Sequence, residues 1–149
     1  MKIKQQLYSQ CQQFLDNRLQ TIQKTINEIQ ESLTTETKSS AGDKHETGRA
    51  MLQLEREKAG HQLAEIQKTS QLLSKIDASK TSHNVVLGSV IYTSKANYFI
   101  TISAGELEFD NQKFYAISAS TPIAQLLLGK TVDDQIIFRD QNFTIINII

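Results

Sequence analysis

The sequence predicts an α+β fold in which an N-terminal antiparallel coiled-coil hairpin precedes a small β-rich domain with one short helix. Three observations carry this prediction. Apolar residues from Leu15 to Leu33 recur at alternating gaps of four and three, and no Gly or Pro interrupts residues 1–40. Beyond residue 80 the apolar period changes from helical to strand-like, as Ile, Val and Phe replace Gln, Lys and Glu. A chain of 149 residues accommodates one ordinary domain or two small ones, and this break in composition favours two.

The first helix has Leu15, Leu19, Ile22, Ile26, Ile29 and Leu33 as its seam, with Ile3, Leu7, Cys11 and Phe14 extending the same face backward. Its outward positions are filled by Gln, Lys and Glu, which lose little side-chain freedom in a helix. A second amphipathic run begins after Gly48 and carries Leu52, Ala59, Leu63, Ile66, Leu73 and Ile76 on one face, with Arg56 and Ser70 at intervening seam positions. Gly60 weakens that helix by about 1 kcal/mol relative to Ala without ending it. Only Thr37 to Asp43 reads as a loop between the runs. A short connection between two amphipathic helices makes an antiparallel hairpin, because each seam is then buried on the other. A helix of about 35 residues is about 50 Å long, so the hairpin is a rod with its tip near Gly42 to Glu46.

The predicted domains are residues 1–77 for the hairpin, 78–84 for a polar linker, and 85–149 for the β-rich unit. Val85 to Thr93, Asn97 to Ser103, Gln135 to Arg139 and Phe143 to Ile148 read as strands, being rich in β-branched and aromatic residues and bounded by Gly, Asn and Asp. Asp140-Gln141-Asn142 is expected to turn the last two into a hairpin. Ile123 to Leu128 reads as the short helix: Thr121 caps it, Pro122 suits its first position, and Gly129 closes it.

Composition excludes several classes of function. With 16 basic and 16 acidic residues the net charge is +0, so no field spans the molecule to hold DNA or an anionic membrane. No stretch of about 18 apolar residues exists to span a bilayer, and the opening residues carry no apolar signal region, so a cytoplasmic location is expected. Cys11 is the only cysteine; it forms no intramolecular disulfide and, lying on the apolar face, is expected to pack as a small hydrophobe.

Chemistry concentrates at the expected tip, Gly42-Asp43-Lys44-His45-Glu46. Asp43 and Glu46 suit a capping-box-like pair that satisfies free N–H groups at a helix start. The same two carboxylates, at the end of a rod, also suit delivery into another molecule's cavity to hold a divalent cation. Spacing alone leaves both readings open. Lys38, Lys44, Arg49 and Arg56 surround the tip and are placed either to attract an RNA backbone or simply to solvate the helices. His45, between the acids, reads as a solvated side chain or an aid to proton transfer.

The tip string, followed downstream by Ile117-Ser118-Ala119-Ser120-Thr121-Pro122-Ile123-Ala124 and Leu128-Gly129-Lys130-Thr131-Val132-Asp133-Asp134, resembles the Gre family of bacterial transcription elongation factors, of the GreA type in domain order, length and spacing. The resemblance implies a coiled coil that enters the secondary channel of RNA polymerase, where Asp43 and Glu46 help hold a catalytic Mg²⁺ and a water so that the polymerase cleaves the backtracked RNA 3′ end. By this resemblance the chain is not itself an enzyme, binds no cofactor tightly, and shares its Mg²⁺ only in the complex. The C-terminal half would be an FKBP-like domain that docks on the polymerase through Ser120, Thr121, Pro122 and Ile123.

The departures from the family pattern bear on activity. The family's usual Glu-Asn-Ala-Glu-Tyr after the tip Asp becomes Glu46-Thr47-Gly48-Arg49-Ala50, which replaces a carboxylate by Arg49 and removes an aromatic ring. The usual Gly-Asp after the Gly-Lys is Asp133-Asp134, and a commonly basic helix position is Gln125. Two alternatives follow: a polymerase-binding regulator that occupies the channel without cleavage, or a coiled-coil interaction module.

Overall fold

The computed structural model describes residues 2–38 and 46–149, with side chains described over 2–35 and 47–149. Two long packed helices, α1 (Lys2–Lys38) and α2 (Glu46–Ser74), form a hairpin and precede a six-stranded mixed sheet with one short helix, the architecture the sequence predicts. The chain divides into two compact units, Leu15–Ser70 and Met1–Phe14 with Gln71–Ile149. This division cuts both long helices, and residues 78–84, expected as a linker, belong to the β-rich unit.

In the Leu15–Ser70 unit the seam follows the alternating gaps. Leu15, Ile22 and Ile29 are buried, with Leu19, Ile26 and Leu33 half-buried between them. On α2, Ala59 and Ile66 are buried and Leu52 and Leu63 half-buried. Ser70, expected on the seam, is exposed, and Thr69 is half-buried in its place. Two consecutive gaps of three, 63–66 and 66–69, overwind the repeat locally. Arg56 is half-buried at its seam position, and its Nη1 lies 3.2 Å from where a Cβ on Gly60 would sit. Thr21, Thr25, Thr34, Thr35 and Thr69 each donate a hydroxyl hydrogen bond to the carbonyl four residues earlier, at 2.9–3.1 Å. That bonding satisfies polar, β-branched residues inside a helix.

The other unit is organised by strands β1 (Val90–Thr93), β2 (Asn97–Thr101), β3 (Gly105–Phe109), β4 (Gln112–Ser118), β5 (Gln135–Phe138) and β6 (Gln141–Ile148), in the order β3-β4-β2-β1-β6-β5. All neighbours are antiparallel except β2 and β4, which run parallel with Tyr98 opposite Tyr115. Successive side chains point to opposite faces, and both faces are buried at the centre. One face gives Ile91, Ile100, Ile136 and Ile145 to a core with Ile123, Ala124 and Leu127 of α3 (Pro122–Leu127). On the other face Tyr92 meets Phe114 edge-on at 5.6 Å, beside buried Val90 and Phe99.

The first turns of α1 are built into this unit. Leu7 and Cys11 are fully buried; Lys4 Nζ donates to the carbonyl of Lys80 (2.6 Å) and the main-chain oxygen of Ile149 (3.3 Å); and Tyr8 Oη donates to the Leu73 carbonyl (2.9 Å). The Gln10 amide bonds both main-chain groups of Glu108, donating at 2.7 Å and accepting at 3.2 Å.

Three local expectations change. The β3–β4 hairpin is an addition: its turn residues, Asp110 (φ 51°) and Asn111 (φ 62°), adopt the left-handed conformation that tight two-residue hairpins require. The first strand begins at Val90 and not Val85, because Val85 spends its main-chain groups on Lys130 and Gly129 outside the ladder. The last turn is Arg139-Asp140 (φ 51° and 64°), one residue before the expected position, with Phe138 paired to Gln141. Among the described residues no helix is long and apolar enough to cross a membrane.

Candidate functional site

The C-terminal motif folds into one hydrogen-bonded piece. Thr121 has an extended backbone (φ −69°, ψ 150°), and its Oγ1 accepts from the Ala124 N–H (3.3 Å) while donating to the Ser118 carbonyl (2.9 Å). This satisfies an N–H that the first turn of α3 leaves free, and Pro122 at the first helical position has no N–H to satisfy. Gln125 Nε2 donates to the Ala119 carbonyl (2.5 Å) and pins the preceding loop. Ser118 and Ser120 hydroxyls share a hydrogen bond of 2.9 Å.

The other end of α3 is equally fixed. Gly129 takes φ +83°, donates its N–H to the Val85 carbonyl (2.8 Å), and is followed by Lys130, whose carbonyl accepts from Val85 (2.9 Å). Asp134 accepts from the Thr131 N–H (2.8 Å) and hydroxyl (3.2 Å) and closes a turn, while Asp133, which stands in the place of the family's Gly, takes the left-handed φ of 75°. Of the predicted docking residues, Ser120 and Pro122 are exposed, Thr121 is half-buried, and Ile123 is buried in the core. Leu126, unremarked in the sequence, presents an apolar side chain 39% exposed on the outer side of the same helix.

The tip is reached from both sides by the helices. Lys38 is the last residue of α1 and Glu46 the first of α2. Asp43 and Lys44, like His45, lie outside the described residues. Arg49 is half-buried in the first turn of α2, and Arg56 lies a further two turns along, with its guanidinium beside Gly60, away from the tip. Among the described residues no group of three or more His, Cys, Asp or Glu stands where it could hold a metal ion.

The sequence also left unmarked an open groove of about 730 Å³ on the hairpin unit, floored by Leu15 and Ile66 and edged by Arg18, Glu57, His61 and Glu65. Two helices cover a shared seam from above and below but leave its flanks open, which is why buried seam residues line it.

These features define a two-unit chain with a helical hairpin and a β-rich, helix-bearing unit whose loop before α3 is held by hydrogen bonds. A scan against protein-family models finds no match, and a search of the curated proteins finds none. Among solved structures the chain is similar to that of the transcription factor Gfh1, with 18% identity over 90% of each chain and a TM-score of 0.34.

Proposed function

We propose that this chain is a Gre-like transcription factor that binds bacterial RNA polymerase, docks through the exposed Ser120 and Pro122 at the start of α3, and extends its hairpin into the secondary channel. What carries the proposal is the presence of the whole Ile117–Asp134 motif as a capped, pinned and closed element downstream of a two-helix hairpin. In this reading the chain has no catalytic site of its own. Asp43 and Glu46 would contribute two of the hard oxygen ligands that Mg²⁺ prefers, and the polymerase would supply the others. Such an ion, when bound, lowers the pKa of a coordinated water and offsets developing negative charge. Lys38, Lys44, Arg49 and Arg56 would face the nascent RNA 3′ end.

One observation favours a second reading, a regulator that occupies the channel without cleavage. Arg49, in place of the family's second carboxylate, sits in the first turn of α2, three residues from Glu46, where it opposes a dense positive ion.

The deciding experiment measures cleavage of the RNA 3′ end in a stalled, backtracked elongation complex at several Mg²⁺ concentrations, with wild type, Asp43→Asn and Glu46→Gln. Metal donation predicts cleavage by wild type and a loss of about two orders of magnitude in either variant, with docking intact. Equal cleavage by all three would remove the donor role. Polymerase binding with no cleavage, and resistance to a competing cleavage factor, would establish the regulator. Failure to retain core polymerase in a pull-down would leave the interaction module.

A further inference from the structure

Within the unit formed by Met1–Phe14 and Gln71–Ile149, the start of α1 and the segment after α2 enclose a recess of about 270 Å³. Its polar lining comes from Lys4, Lys75, Asp77, Lys80, Thr81 and Ser82. We propose that this recess binds a small phosphate-bearing anion, either inorganic phosphate or the phosphomonoester group of a small molecule.

The charge balance favours an anion, since three lysines and a single acidic side chain are among the lining residues. That carboxylate is already engaged: Asp77 Oδ1 accepts from the Ser79 N–H (2.9 Å) and hydroxyl (2.5 Å), folding the acid into its own turn. These hydrogen bonds, with smaller help from the charges of Lys80 and Lys4, hold the Asp77 carboxyl below its ordinary range, so it stays ionised and occupied.

Lys4 makes the recess more than a patch of surface lysines. It is 2% exposed, and its ammonium is fixed by the main-chain oxygens of Lys80 and Ile149. An ammonium has three N–H donors, so one remains for a ligand. Burial lowers the Lys4 pKa, against the opposing pull of Asp77, and an anion alongside would favour the charged form. Lys75 and Lys80 carry exposed side chains at the rim, and Thr81 and Ser82 bring hydroxyls. Lysine acts on phosphate as a point charge and needs no planar geometry. The space exceeds that of one phosphate ion and leaves room for the body of a small ester.

The test titrates inorganic phosphate and, separately, ribose 5-phosphate into the full chain at constant ionic strength, using calorimetry and amide NMR. Saturable one-to-one binding is expected, with shifts at the amides of Lys4, Thr81, Ser82 and Val86. The Lys75→Gln/Lys80→Gln double variant should weaken it about tenfold or more, and Lys4→Met should do so as well. Tighter binding of the ester assigns a phosphorylated small molecule, and equal affinity assigns the free ion. Shifts reproduced by chloride at the same ionic strength, or undiminished affinity in the double variant, would overturn the proposal. If Lys4→Met does not fold, the double variant decides, because both of its positions are exposed.

Discussion

Burial pushes the Cys11 thiol up to about 12, from 9.0, and the consequence is an alkaline weakness. Between pH 9 and 12 the unfolded chain has released the thiol proton and the folded chain has kept it. The unfolded state therefore binds fewer protons, and stability falls as pH rises through that window. Tyr92 and Tyr98, also raised by burial, add to the fall above pH 10, whereas Lys4, lowered by burial, opposes it. Urea melts from pH 7 to 10.5 should show a shallower decline for Cys11→Ala than for wild type; parallel slopes would mean the thiol titrates normally. A second residue-scale expectation concerns Gly60. Ala in its place should stabilise the helix by about 1 kcal/mol, because the new Cβ meets only the mobile end of Arg56 at 3.2 Å. Thermal melts followed by circular dichroism measure this, and no gain would show the Arg56 guanidinium to be rigidly held. Lys4, Tyr8 and Gln10 were not legible as anchors in the sequence, since on a polar helix they look like any solvated positions.

Among the elements, α3 was almost fully legible, because its cap, its Pro and its closing Gly are each a local chemical requirement. Gly129→Ala should cost about 1 to 2 kcal/mol, and the cost is purely of the backbone, since nothing lies within 4 Å of the added Cβ while φ is +83°. Chemical denaturation checks the value, and a neutral result would mean that the turn relaxes. For docking, Pro122→Ala with Ser120→Glu should lower polymerase affinity while the unit still melts in one transition. Unchanged affinity moves the interface elsewhere. The β3–β4 hairpin was missed for a physical reason: β3 is an edge strand with only Leu107 buried, so its alternation is short and half polar. Its Asp-Asn turn was the available signal. Val85 was over-read for the opposite reason, being buried and β-branched yet bonded to a loop.

At the scale of the molecule, the apolar face of α1 runs unbroken from Ile3 to Leu33, while the helix passes from the β-rich unit into the hairpin unit after Phe14. Periodicity reports that a face is buried and is silent on whether a helix or a sheet buries it, so the sequence placed the division at residue 77. The expected outcome is that residues 71–149 alone are unstable. They lack Leu7 and Cys11, both fully buried, and burial of a side chain such as Leu7 alone contributes about 1.5 to 3 kcal/mol. Calorimetry of that fragment, with and without a peptide of residues 2–14, tests this; an independently stable fragment unaffected by the peptide would show the first turns to be an accessory.

The bond from Lys4 to Ile149 joins positions 145 apart in the chain, and β6 lies between β1 and β5 in the sheet. Closing such a long loop costs entropy before any contact offsets it. The order of events during synthesis follows from this. The hairpin, with its nearby partners, can zip up while the chain is still emerging, but the sheet must wait for its penultimate place to be filled by residues 141–148. Residues 2–14 thus lack part of their cover until residues 141–148 have joined the sheet.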